Sequence, residues 1–132
     1  MSQKTWDING LSLKFDLDDA ETAERYENAF AEMEKEELAI PKDGKLSAVI
    51  RAYHAMFCRL YDRLFGDGTA EQIFAGKPVS ISACDEVYGS FLDFVRAQRT
   101  EIAEKHAERL TKYRPNRDQR RAAAKKPVKK SK

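Results

Sequence analysis

The chain is poor in the residues that usually mark a chemistry. It has two cysteines, Cys58 and Cys84, and no CxxC pair. That spacing argues against a disulfide scaffold and for a reduced, cytosolic setting. It has two histidines, His54 and His106, and neither sits in an HExxH or zinc-finger spacing. Its six glycines never gather into a phosphate-cradling loop. No apolar run approaches the roughly 18 residues of a membrane-spanning helix. The opening MSQKTWDING has no apolar signal-peptide region. No segment repeats, and no pair of carboxylates stands at a spacing that specifies acid–base work. These absences predict a chain that is not an enzyme, holds no metal or cofactor, does not cross a membrane, and resides in the cytoplasm.

What is present is an uneven charge. From Arg114 to Lys132 the sequence reads RPNRDQRRAAAKKPVKKSK, nine lysines and arginines against one acid, Asp118. The rest of the chain has acids in excess, so a negative body and a positive tail sum to a net charge of +2. A basic segment of this kind seeks anionic surfaces, whether nucleic acid, an acidic protein face or the chain's own body. The length predicts one domain with appendages: residues 1–113 as the folded domain and 114–132 as a largely flexible basic tail. A chain this short buries a modest fraction of its surface, which fits a homo-oligomer.

The local patterning predicts a mainly α fold with an N-terminal β-hairpin (α+β) and a long C-terminal helix. Asn9-Gly10 is a type I′ turn signal, because both positions must take positive φ. A two-residue loop there sets Ile8 opposite Leu11 and Trp6 opposite Leu13, on one face with Phe15. A hairpin alone is marginal in water, so that face must lie on helices or on another chain's sheet. Asp18 and Glu21 have capping-box spacing before a first helix whose stripe is Ala23, Tyr26, Phe30 and Met33. Its other faces are rich in Glu, and the late cluster Glu34, Glu36 and Glu37 opposes the helix macrodipole. These glutamates read as a solvated face or as a dock for a basic partner, the tail included. A loop at 40–44 precedes the densest apolar stripe, from Leu46 through Val49, Ile50, Tyr53, Met56, Phe57, Leu60, Tyr61 and Leu64 to Phe65, with Gly66 as the stop. Thr69 and Gln72 predict a short capped helix through Phe74. A third long helix, from about Ser82 to Tyr113, is apolar early (Val87, Tyr88, Phe91, Leu92, Phe94, Val95) and thin later, where Ile102 and Leu110 stand among charges. A buried face that fades in this way predicts a far half that leaves the core, either exposed or packed on another subunit.

Each candidate for chemistry has a plainer reading beside it. His54, Cys58 and Asp62 recur every four residues and are all potential metal ligands, yet no fourth ligand accompanies them, and a half-buried polar stripe explains them better. His106 reads as exposed. Cys84, near a helix start, has the position for a lowered thiol pKa but no histidine nearby in sequence, so it reads as a buried structural thiol. Gly66-Asp67-Gly68-Thr69 resembles an anion-binding turn only in part, and a helix stop and restart accounts for it. Tyr53, Phe57, Tyr61 and Phe65 recur every four residues beside Arg51, Arg59 and Arg63. A base-stacking platform needs exposed rings, and a packed core stripe is the better reading. The tail remains, with Arg117, Arg120, Arg121, Lys125 and Lys126 as candidate partner contacts.

Four segments, FDLDDAETAERYENAF, IPKDGKLSAVIRAY, CDEVYGSFLDFV and KYRPNRDQRRAA, resemble a family of small proteins encoded in tail modules of siphophages and prophages of low-GC Gram-positive bacteria. Short acidic helical proteins with an NRxxRR-like basic end are similar to phage tail assembly chaperones, which coat the tape-measure protein before the tail tube polymerises. The resemblance implies a non-enzymatic assembly role, in the host cytoplasm or in the virion. It implies the tape-measure protein as partner and the basic end at Arg117, Arg120 and Arg121 as the contact segment; the apolar pattern of the long helix adds Ile102 and Leu110 as candidate partner contacts. The lysine-rich extension from Lys125 to Lys132 departs from the family pattern. Nucleic-acid binding through the tail is the second expectation, by phosphate neutralisation without base readout. A structural tail or head–tail component is the third.

Overall fold

The computed structural model describes residues 4–113. Strand β1 (Thr5–Ile8) and strand β2 (Leu11–Lys14) form an antiparallel hairpin, followed by α1 (Ala20–Leu38), α2 (Leu46–Phe65), α3 (Thr69–Ile73) and α4 (Ile81–Tyr113). The chain divides into two compact units, Met1–Arg99 and Thr100–Lys132. The first holds the hairpin, α1 to α3 and the buried part of α4. In the second, the described residues are those of α4 from Thr100 onward.

The hairpin has the predicted register, with Ile8 opposite Leu11 and Trp6 opposite Leu13. Asn9 and Gly10 both take positive φ, 49° and 80°, as the turn demands. Its apolar face supplies rings to the core of the first unit. Trp6 stands 5.7 Å from Tyr61, 5.9 Å from Phe65 and 5.1 Å from Phe91. Phe15 lies 5.6 Å from both Phe65 and Phe91 and also meets Tyr26 and Phe94. Phe91 is fully buried and touches rings from the hairpin and from α1, α2 and α4. Burying each such ring contributes on the order of 1.5–3 kcal/mol, and the tilted and edge-on pairings add to that.

Polar bonds pin the hairpin to the helices. The Trp6 indole N–H donates to Ser90 Oγ at 3.0 Å. The Asn9 side-chain amide donates to the carbonyls of Gln72, Ile73 and Ala75, at 3.0–3.1 Å. The turn residue thus also caps the C-terminal end of α3, whose last carbonyls have no partner within the helix. Gln98, nearly fully buried, donates to the Phe15 carbonyl and accepts from the Leu17 N–H, both at 2.7 Å. It satisfies the backbone where the chain leaves the sheet and no longer has ladder partners.

Three expectations need correction. Asp19, rather than Asp18, caps α1: its carboxylate accepts from the Thr22 N–H, while Asp18 bonds back to Asp16 in a turn. Thr69 does not cap α3. Gly68, in the left-handed region, holds the cap position, and the Asp62 carboxylate from α2 accepts from the Ala70 N–H at 2.9 Å. Leu46 is 74% exposed. The fully buried positions of α2 begin only at Met56, and its earlier residues are half-buried or exposed, since an apolar stripe is buried only where neighbours cover it.

Candidate functional site

The His54, Cys58 and Asp62 stripe lines an open cleft of about 610 Å³ together with Phe74, Lys77 and Val79. Helical spacing brings two of the three together, with Cys58 Sγ 3.6 Å from His54 Nδ1. Asp62 is committed elsewhere, to the start of α3, and the His54 ring packs on Phe74 at 4.7 Å. Among the described residues no group of three or more His, Cys, Asp or Glu is arranged to hold a metal ion. Burial, and then the Asp62 charge, push the Cys58 thiol above its ordinary pKa. Burial pushes Cys84 up to about 11. Both sulfurs are therefore protonated near neutral pH and are weak nucleophiles, despite the position of Cys84 near the start of α4.

The aromatic stripe of α2 divides as a core stripe does. Phe57 and Tyr61 are buried, and Tyr53 and Phe65 are half-buried. The Tyr61 hydroxyl is buried with no hydrogen-bond partner among the described residues, and burial drives its pKa strongly upward. The Arg59 and Arg63 side chains turn to α1, where the Glu36 carboxylate accepts from Arg59 Nε at 3.1 Å and from both terminal nitrogens of Arg63. The Arg63 hydrogen bonds hold Glu36 below the usual carboxylate range, and Arg59 adds to the effect. Sequence reasoning read Glu36 as part of a solvated face or of a dock for a basic partner; it instead ties α1 to α2, beside the bond from Arg25 to the Leu64 carbonyl. Gln98, and the capping roles of Asn9 and Asp62, also went unread. Their partners are 83, 64 and 8 residues away in sequence, and no local pattern announces them.

The remaining α1 acids stay on the outside. Glu24, Glu27 and Glu34 are exposed and follow the 3-4 spacing of one helical stripe with Ala31 and Leu38. None of the three makes an ion pair within the described residues. Leu38 ends that stripe 79% exposed, and Leu46 stands at the other end of the α1–α2 connection.

Of the predicted partner contacts, Ile102 is half-buried and Leu110 is 38% exposed, both on α4 in the second unit. Around them Glu101 pairs with Lys105 at 3.9 Å, and His106 is exposed. Arg117, Arg120, Arg121, Lys125 and Lys126 lie outside the described residues. Among the described residues no helix is long and apolar enough to cross a membrane.

No curated protein and no solved structure matches the chain. One family model matches residues 9–124, a span that takes in Arg117, Arg120 and Arg121 and stops short of Lys125. With most of its length covered, the chain belongs to that family, a family of unknown function (DUF6673).

Proposed function

We propose that this protein is a non-enzymatic tail-assembly factor of a phage or prophage, a chaperone or scaffold that binds the tape-measure protein in the host cytoplasm. The observation that carries the reading is the resemblance of four segments, spread from Phe15 to Ala123, to small tail-module proteins. The surface is compatible with it. A chaperone for a long helical client must offer apolar contacts while staying soluble. Here Leu38, Leu46, Val79 and Leu110 are exposed apolar side chains. Co-expression with the tape-measure protein of the same gene cluster tests the reading. The expected result is a co-purifying complex and a more soluble client; a client whose solubility and elution are unchanged overturns it.

The nine cations of the tail favour a second reading, nucleic-acid binding by phosphate neutralisation. A mobility-shift titration at low and moderate salt separates the two. Binding that falls steeply with salt and vanishes on deletion of residues 115–132 supports the second reading, and no shift at low salt removes it.

A further inference from the structure

The exposed stripe of α1 and the basic tail form a complementary pair that every copy carries. Glu24, Glu27 and Glu34 project from one face at helical spacing, all exposed and without ion pairs among the described residues. Ala31 leaves room between them, and Leu38, 79% exposed, supplies an apolar end. The glutamates that serve the fold are different ones: Glu36 binds Arg59 and Arg63, and Glu32 pairs with Lys35. The stripe is thus a helix face that folding does not use. Beyond the described residues stand 114–132, nine cations with Ala122, Ala123, Ala124 and Val128 interspersed. That composition matches a face of acids, one small residue and one leucine. The whole chain is nearly neutral, at +2, so copies brought together do not meet the repulsion that a uniformly charged chain generates.

We propose that the basic segment 114–132 of one copy docks on the Glu24–Glu27–Glu34 face of a second copy, joining chains head to tail. The two surfaces of such a joint differ, so the contact is heterologous and propagates into a ring or an open row. This goes beyond the chaperone reading and does not depend on it, since self-association and client binding are measured separately.

Charge reversal in the full-length chain is the test. Three proteins are compared by sedimentation velocity at high protein concentration, at about 0.05 M and about 0.5 M salt, the latter screening exposed charges: the parent, E24K/E27K/E34K, and R117E/R120E/R121E. All substitutions of the first set are at exposed positions, and circular dichroism checks that each variant is folded. The parent is expected to show an apparent mass at least about twofold above the monomer at low salt, falling to the monomer at high salt. Each variant alone is expected to be monomeric. Mixed, the two variants are expected to pair, because the unaltered basic tail of E24K/E27K/E34K meets the unaltered acidic helix of R117E/R120E/R121E. A parent that is monomeric at low salt overturns the proposal. So does association that persists in E24K/E27K/E34K, or a mixture that stays monomeric. A parent that remains monomeric while binding DNA through the tail gives the segment to nucleic acid instead.

Discussion

Gln98 shows how much one side chain contributes when, among the described residues, two backbone groups bond to it alone. Its amide answers both the Phe15 carbonyl and the Leu17 N–H. Truncation leaves the buried Phe15 carbonyl and the part-buried Leu17 N–H without that partner. Gln98→Ala is expected to lower stability by about 2–4 kcal/mol, since each orphaned group costs on the order of 1–3 kcal/mol, and a urea melt measures it. Tyr61 is the opposite case. Its ring packs against Trp6, Phe57, Phe74 and Phe91, while its hydroxyl has no partner among the described residues. Tyr61→Phe keeps the ring and removes the desolvated hydroxyl. The expected result is a stability unchanged or raised by up to about 1 kcal/mol, and a marked loss in the same melt would point to an ordered water on that oxygen.

At the scale of elements, α4 and the α1–α2 pair make separate predictions. Gly89 lies within α4, exposed, and a Cβ added there meets nothing within 4 Å. Glycine in a helix interior is about 1 kcal/mol worse than alanine, so Gly89→Ala should raise stability by about that amount, read as a shift in the denaturant midpoint. The α1–α2 tie is pH-dependent. Glu36 has a folded-state pKa below its unfolded value, first because of its hydrogen bonds from Arg63. A depressed carboxylate contributes stability that is present above the unfolded pKa, about 4.3, and is lost as pH falls through the folded value. The partners are partly exposed, which limits the gain to about 0.5–1 kcal/mol. Glu36→Gln should therefore be less stable by about that amount at neutral pH, and the difference from the parent should close as the pH drops below the carboxylate range. A gap that stays constant down to acid pH would assign the loss to packing rather than charge.

At the scale of the whole molecule, among the described residues every fully buried side chain lies between Trp6 and Gln98, within the unit Met1–Arg99. Deleting residues 114–132 is therefore expected to leave the thermal midpoint of dilute protein within about 2 °C, when about 1 kcal/mol corresponds to roughly 4–8 °C in a domain of this size. A larger fall would show that the tail contributes to the fold. The tail's expected place is in association, with a client, a second copy or nucleic acid, and the charge reversals and co-expression described above separate these.

The elements were legible in the sequence because their signals are local. Asn9-Gly10 needs positive φ, and the alternation from Trp6 to Phe15 sets the register, so two short-range rules agree on one hairpin. The α2 stripe and the fading apolar face of α4 follow from helical periodicity, and Gly66 ends α2 where the pattern ends. The connections depend on the tertiary structure. Which of two adjacent aspartates caps α1 turned on how the chain leaves the hairpin. Asp62, a candidate ligand on its own helix, became the cap of another. Glu36 left the acidic face because two arginines of α2 came within reach, and Leu46 dropped out of the core because the packed part of α2 begins later. Periodicity reports which face of an element is apolar. It carries no information on how far along that face a neighbour reaches, or on which distant polar group a buried backbone atom will meet.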